Sequence, residues 1–392
     1  MSLFLNPRVI TLAALTSVAP FAIDTYLPAF HMLSEDLLAS PEAIQQTLTF
    51  YLLPYTLMLL FHGPISDGIG RIKTMQWGLL LFFFASIGCA LSTTIESLWF
   101  FRALQGIGGG AGSVVARAMV RDLYEGAEAQ RVMATVQILF GIAPAIAPMI
   151  GGLLLGFHWQ GIFIFLALYA AVSIYMGSKI LPETMTKNML VPITFTGIIE
   201  RYKSLLINKE FILLILSVSA NFSAFFIYVL ASPVFLIDHL GFTAQQFGYL
   251  FIPTVSGMLI GSFISKKTAG VIKPSSVLKF GYYFMFCIAL SNLLFCSFMP
   301  DNAFFNIGFI ALYNIGMASV MPIISLAGLD CFPKIRGTAA SGQAFTQMLF
   351  ASATAGILVP IVWFSTFGLS LGLFFLISFG LFTITKTNLW NK

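Results

Sequence analysis

Long apolar runs alternate with short polar clusters along the whole chain. Twelve runs fall near residues 8–30, 44–66, 73–94, 97–118, 131–157, 160–181, 211–236, 243–266, 275–299, 303–329, 336–364 and 366–386. Each is long enough to cross a bilayer core, which takes about 20 residues of helix. The runs lack the period-two alternation of a membrane β-strand, and lipid offers no partner to an unpaired backbone group. Helix is therefore the expected element throughout, and the pattern predicts an all-α membrane protein with twelve transmembrane helices. The first run, 9–30, is too long for the apolar core of a signal peptide and lacks an obvious cleavage site, so it is read as a permanent span.

The longest polar connection parts the runs into two groups of six. The expected organisation is an N-terminal six-helix bundle over 1–182, a linker over 183–210 and a C-terminal six-helix bundle over 211–392. The halves echo each other. Helix 2 ends in Gly63-Pro64-Ile65-Ser66-Asp67, helix 8 ends in Gly261-Ser262-Phe263-Ile264-Ser265-Lys266-Lys267, and Pro54 and Pro253 precede these ends at similar distances. Repeated halves are how transporter folds build a binding site near the bilayer midplane.

Composition supports the membrane reading. Of 392 residues, 58% are hydrophobic and 9% charged, where soluble domains carry about a quarter charged residues. The 41 Phe and 33 Gly suit lipid-facing surfaces and close helix crossings. The net charge of +5 comes from scattered short loops and gives no reason to expect nucleic acid. Cys89, Cys287, Cys296 and Cys331 show no metal or redox spacing and are read as unpaired. Lys and Arg in the connections all fall on one side of the expected topology. The opposite connections hold Glu35, Asp36, Glu42, Glu96, Asp238 and Asp301 with no Lys or Arg. The positive-inside rule then predicts that both termini are cytoplasmic.

Three segments carry chemistry. The helix 2–3 turn reads Gly63-Pro-Ile-Ser-Asp67-Gly-Ile-Gly70-Arg71-Ile-Lys73. Its glycines permit a tight turn and close helix contact. Asp67 and Arg71 are expected to pair with the nearby end of helix 11 or helix 4, including Arg117 or Arg121. The second segment is Arg102-Ala-Leu-Gln105-Gly106-Ile-Gly-Gly-Gly110 in helix 4. An ionisable residue within a span is a functional-site hypothesis; the alternative is an anchor that snorkels to the nearby helix end. No strand precedes these glycines, which excludes a dinucleotide loop. The third is Gly141-Ile-Ala-Pro144-Ala-Ile-Ala-Pro148-Met-Ile-Gly151-Gly152 in helix 5. Its prolines remove backbone donors and bend a helix, whether as a structural kink or as a hinge.

These motifs, in this order, resemble the major facilitator superfamily. With Asp24-Thr25-Tyr26-Leu27-Pro28-Ala29 in helix 1 and Trp159-Gln-Gly-Ile-Phe163, they are similar to the Bcr/CflA branch of drug:proton antiporters. The second half matches more loosely, through Arg336-Gly337-Thr338-Ala339-Ala340-Ser341-Gly342, and Ser265 stands in helix 8 where helix 2 has Asp67. The resemblance implies two pseudo-symmetric six-helix bundles and proton-driven export of small molecules across a bacterial inner membrane.

Asp24 is the one acidic residue well inside a predicted span and the candidate proton carrier, with a helix-packing carboxylate as the alternative. At about 1.5 Å per residue, Asp24 and Arg102 each lie roughly 6–9 Å below the outer boundary. Burial raises a carboxylate's pKa and a nearby guanidinium lowers it, so the pair is expected to poise Asp24 for proton exchange. Candidate cavity residues are Tyr26, Tyr51, Tyr55, Gln105, Gln137, Asn221, Phe225, Tyr228, Asn314, Gln343 and Gln347. The expected partners are a small-molecule substrate, protons and the lipid bilayer, with a monomer as the working unit and no cofactor or metal. A proton-coupled nutrient importer or a siderophore or metabolite exporter would share most of these features. An intramembrane enzyme is disfavoured: His31, His62, His158 and His239 are widely spaced, and no nucleophile–base pair or ATP-binding motif appears.

Overall fold

The structure, a computed structural model, describes residues 5–156, 158–232, 234–242, 248–298 and 302–391; the side chains of Pro144, Ala145, Ile237 and Asp238 lie outside that description. Asp301, assigned above to an acidic connection, is outside the described residues as well.

The helices start where the apolar runs meet a capping side chain. Asn6 accepts from the backbone of Arg8 ahead of α1 (Pro7–Asp24), and Ser40 accepts from Ala43 ahead of α3 (Pro41–Ile69). Thr94 and Ser97 form a reciprocal capping box at α5 (Ile95–Gly109). Asn208, Asn302 and Ser365 cap α10 (Lys209–Leu230), α13 (Ala303–Asp330) and α16 (Thr366–Thr385). Each cap satisfies a backbone donor that has no partner in the first turn. The remaining long helices are α4 (Arg71–Ala90), α7 (Gly126–Leu155), α8 (Gln160–Ile180), α11 (Gly248–Thr268), α12 (Pro274–Phe298) and α14 (Arg336–Ala353).

Eleven helices among the described residues are long and apolar enough to cross a membrane. The twelfth expected run, 97–118, is divided at Gly110 into α5 and α6 (Ala111–Leu123). Two other runs are interrupted at prolines. Pro28 has no N–H to give the Asp24 carbonyl, so α1 stops at Asp24 and the chain turns through Leu27–Ala29 into α2 (Phe30–Asp36). After α14 a π turn, Thr354–Leu358, leads to α15 (Val359–Val362) around Pro360. The linker, expected from sequence only as a polar connection, holds an extra helix, α9 (Phe195–Ile207), and the chain ends in a short α17 (Asn388–Asn391).

Contacts divide the chain into two compact units. The first comprises Met1–Tyr124, Thr135–Tyr202 and Phe332–Phe345; the second comprises Glu125–Ala134, Lys203–Cys331 and Thr346–Lys392. Inside the first, α3 packs on α5, α4 on α5 and α8, and α1 on α6 and α8. Inside the second, α11 packs on α13, α12 on α13 and α16, and α10 on α13 and α16. The two packing schemes correspond element by element, with α5 and α6 together matching α13. The unit boundaries show a reciprocal exchange: the start of α14 belongs to the first unit and the start of α7 to the second. Large apolar side chains such as Phe84, Leu153, Leu168, Phe280 and Phe375 are exposed. Such a surface suits lipid and would be a liability in water.

Candidate functional site

Two polar assemblies stand out in the first unit. One lies at the turn between α3 and α4. Gly70 joins these helices at φ 100°, a left-handed conformation that favours glycine. Asp67 is fully buried on the last turn of α3. Its carboxylate accepts from Arg71 Nη1 at 2.7 Å, from the backbone N–H of Gly337 at 2.9 Å and Thr338 at 2.7 Å, and from the Thr338 hydroxyl at 2.6 Å. Gly337 and Thr338 are in the first turn of α14, where backbone donors lack helical partners and the helix dipole favours an anion. Asp67 thus caps a helix from the other half of the sequence. Ser341 Oγ accepts from the Gly63 N–H at 2.8 Å, and Gly63 lies so close to the Gly337 carbonyl that a methyl group there would overlap it.

Arg71, also buried, spreads across three acceptors: Asp67, Ser66 Oγ at 2.6 Å and, through Nε, Asp122 at 3.0 Å. Asp122 further accepts from Arg336 at 3.0 Å and from Thr184 at 2.9 Å. Glu183 accepts from the backbone of Arg71 and Ile72, each at 3.0 Å, and so caps α4. Two carboxylates, Asp67 and Asp122, therefore face two guanidinium groups, while Glu183 and Asp67 meet the positive N-termini of α4 and α14. The sequence motif singles out Asp67 and Arg71; it gives no sign of Asp122, Glu183, Thr184 or Thr338. Asp122 and Glu183 carry the one usable signal, because carboxylates amid basic connections invite ion pairing. Of the two expected partners, Arg121 donates to the Tyr124 carbonyl at 3.1 Å, and Arg117 lies half-buried on α6. A cation from outside the turn, Arg336, joins this cluster through Asp122.

The second assembly lies inside the predicted spans. Arg102 is fully buried on α5. Its Nη1 donates to the Ala22 carbonyl at 3.1 Å and to Gln105 Oε1 at 2.5 Å. The guanidinium carbon sits 4.8 Å from the Tyr26 ring centroid and 4.5 Å from that of Tyr51, within cation–π range. Arg102 Nε and Nη2 have no hydrogen-bond partner. Asp24 lies two residues beyond Ala22, at the end of α1, half-buried and making no hydrogen bond or ion pair with another described residue. The structure thus brings Arg102 to the level of Asp24 but leaves the two unpaired.

The candidate cavity residues divide between the units. In the first, Tyr26 bonds Thr47 at 2.8 Å, Gln105 donates to Ser86 at 2.8 Å, and Tyr55 stacks on Tyr51, whose hydroxyl has no partner. Gln137 is half-buried on α7 with Oε1 unpartnered, and Gln343 is buried on α14. In the second, Asn221 donates to Tyr282 at 2.7 Å, Tyr228 accepts from Asn292 at 2.9 Å, and Asn314 donates to the Thr254 carbonyl at 3.3 Å. Phe225 is buried beside Phe222 and Phe226, and Gln347 is half-buried on α14. Tyr26, Gln105, Asn221, Tyr228 and Asn314 are therefore tied into contacts within their own unit. The proline- and glycine-rich stretch lies in one continuous α7. Gly141 and Gly151 are buried, Pro148 half-buried and Gly152 exposed, while the side chain of Pro144 is outside the described residues. Gly151 abuts the Thr25 carbonyl so closely that α7 meets α1 beside Asp24.

Comparison with known proteins agrees with this architecture. The model of the Major Facilitator Superfamily matches residues 12–355. A bicyclomycin resistance protein homolog of Haemophilus influenzae is 30% identical over 338 residues, covering 85% of this chain and 84% of the relative. Multidrug resistance protein D of Escherichia coli is 27% identical over 337 residues, covering 84% and 82%. The crystal structure of the human organic anion transporter MFSD10 superposes with a TM-score of 0.71 at 17% identity, covering 97% of this chain and 96% of that one. On the family match, the helix packing and the 30% identical relative together, the chain is a multi-pass membrane transporter belonging to the Major Facilitator Superfamily.

Proposed function

We propose that this transporter exports drugs or other small organic molecules in exchange for protons, by alternating access, from the cytoplasmic membrane of a bacterium. Residues 1–182 and 211–392 act as the two six-helix bundles, with 183–210 as linker, both termini cytoplasmic and a monomer as the working unit. The relatives named for bicyclomycin and multidrug resistance support the substrate class. Asp24 takes and releases the proton. The observation that carries this reading is the half-buried carboxylate of Asp24, without a hydrogen bond or ion pair, two residues from the Ala22 carbonyl held by a fully buried Arg102 that keeps two donors unpartnered. A buried guanidinium without full hydrogen bonding is costly. Deprotonated Asp24 would relieve that cost by moving to Arg102, and protonation would release it. The Asp67–Arg71–Asp122–Arg336 cluster closes the cytoplasmic side; the charge-assisted bonds it makes are the strong kind. Proton release from purified protein, followed with a pH dye against a panel of drugs, siderophores, amino acids and sugars, tests the reading. Release on drug binding that is absent in Asp24→Asn supports it; release triggered only by a nutrient would favour an importer.

A further inference from the structure

The linker helix α9 grips the end of α3 that carries Asp67. Pro64 has no N–H, so the Leu60 carbonyl one turn earlier loses its helical donor. The Tyr202 hydroxyl donates to that carbonyl. Burial pushes the Tyr202 pKa up, with a hydrogen bond to Ser341 acting the other way, so the group stays a donor at neutral pH. Arg201, itself buried, donates to the Pro64 carbonyl at 3.4 Å and ties it to the linker carbonyls of Val191, at 3.3 Å, and Pro192. The N–H of Val191 donates to the Asp67 carbonyl at 3.0 Å. Three carbonyls along the last turns of α3 are thus held by one segment, 191–202, which carries none of the sequence motifs.

Beside Tyr202, one flank of α9 carries an exposed apolar stripe. Phe195, Ile199 and Leu206 are 76%, 51% and 70% exposed. At about 100° per residue these positions fall within one stripe of roughly 40°. Lys203 is exposed beside the stripe. Only Asn208 separates the end of α9 from the start of α10, a candidate membrane span. The stripe therefore begins where the bilayer boundary must lie, and an apolar ridge with a flanking lysine at that level fits the headgroup–acyl interface.

We propose that α9 is a membrane-surface helix that seats its Phe195/Ile199/Leu206 ridge in the lipid interface and positions the gating end of α3 through Tyr202 and Arg201. The lipid surface is thereby coupled to the Asp67 latch. This rests on the reading of that latch as the gate, but the measurements below need no transport and succeed or fail independently of it.

The test uses the full chain in lipid nanodiscs. In a Cys287→Ser background, nitroxides at Ile199→Cys and Leu206→Cys should be accessible to oxygen and shielded from an aqueous nickel chelate, with the reverse at Glu200→Cys. Equal aqueous access at all three would overturn the seating. Spin–spin broadening at 199 that vanishes on dilution with unlabelled protein would place a second copy on the ridge and also overturn it. Hydrogen exchange then reads the grip. Tyr202→Phe should speed exchange in peptides covering 60–69 on the order of fivefold, the usual weight of one hydrogen bond, with α16 unchanged. The Ile199→Glu/Leu206→Glu double variant, which keeps Tyr202 and Arg201 themselves, should speed the same peptides. No change at 60–69 in either variant would contradict the coupling.

Discussion

Asp67 accepts both the backbone N–H and the hydroxyl of Thr338, at 2.7 and 2.6 Å, and these residues lie 271 positions apart. Asp67 is thereby a helix cap supplied from a distant part of the chain, and it is charged. Asp67→Asn keeps the shape and loses the charge. Bonds to charged groups contribute about 1.5–3 kcal/mol against roughly 0.5–1.5 kcal/mol for neutral ones, so the latch should weaken enough to slow transport by about tenfold. Drug binding to purified protein should stay within about twofold of the parent. Equal loss of binding and transport would mean that Asp67 holds the fold rather than the gate.

The adjacent glycines of α7 should behave oppositely. A methyl at Gly151 would overlap the Thr25 carbonyl, whereas one at Gly152 meets nothing within 4 Å. Gly151→Ala should lower the melting midpoint, since overpacking costs about 1–3 kcal/mol, and should impair transport through displacement of α1 near Asp24. Gly152→Ala should be neutral or stabilising by up to about 1 kcal/mol, as alanine favours helix. Matching effects at both sites would contradict the close α7–α1 approach.

The two tyrosines that flank Arg102 separate packing from function. Tyr26 shares a hydrogen bond with Thr47, while the Tyr51 hydroxyl is buried without a partner. Tyr26→Phe should cost about 1 kcal/mol of stability. Tyr51→Phe should cost none, so any change in transport from Tyr51→Phe would mark that hydroxyl as a substrate or proton contact. Thermal melting in detergent beside a transport assay resolves the two.

Arg102 should tolerate lysine better than alanine. Lysine keeps the cation between the rings of Tyr26 and Tyr51 but cannot hold Ala22 and Gln105 in the same planar fork. Arg102→Ala leaves Gln105 Oε1 without its donor. Transport by Arg102→Lys should exceed that of Arg102→Ala at equal expression; the reverse order would argue that the charge itself is dispensable.

Much of this architecture is legible in the amino-acid sequence alone. Apolar run length marks the spans, and the Gly/Asp/Gly/Arg spacing marks the Asp67–Arg71 pair, because a membrane protein places few charges without a partner. Positions set by distant contacts are not legible. Nothing near Thr338 or Ser341 signals that they meet Asp67 and Gly63. Asp122 serves Arg71 and Arg336 at once only through the packing of α6 against α4 and the start of α14. Polarity nominates the cavity residues, yet Asn221 donates to Tyr282 and Tyr228 accepts from Asn292 inside their own unit. Local pattern reveals burial, but it does not reveal which neighbour answers a buried polar group. The exchange of Glu125–Ala134 and Phe332–Phe345 between units likewise crosses the boundary that hydropathy draws.

The most direct test of proton coupling through Asp24 is uphill drug transport in inverted membrane vesicles, driven by an imposed pH gradient, for the parent and Asp24→Asn. Coupling through Asp24 requires that the variant inserts and folds normally, binds drug, and accumulates none against the gradient. If Asp24→Asn still drives uphill transport with the parent's pH dependence, the proton is carried elsewhere and the mechanism proposed for the Asp24–Arg102 region is wrong.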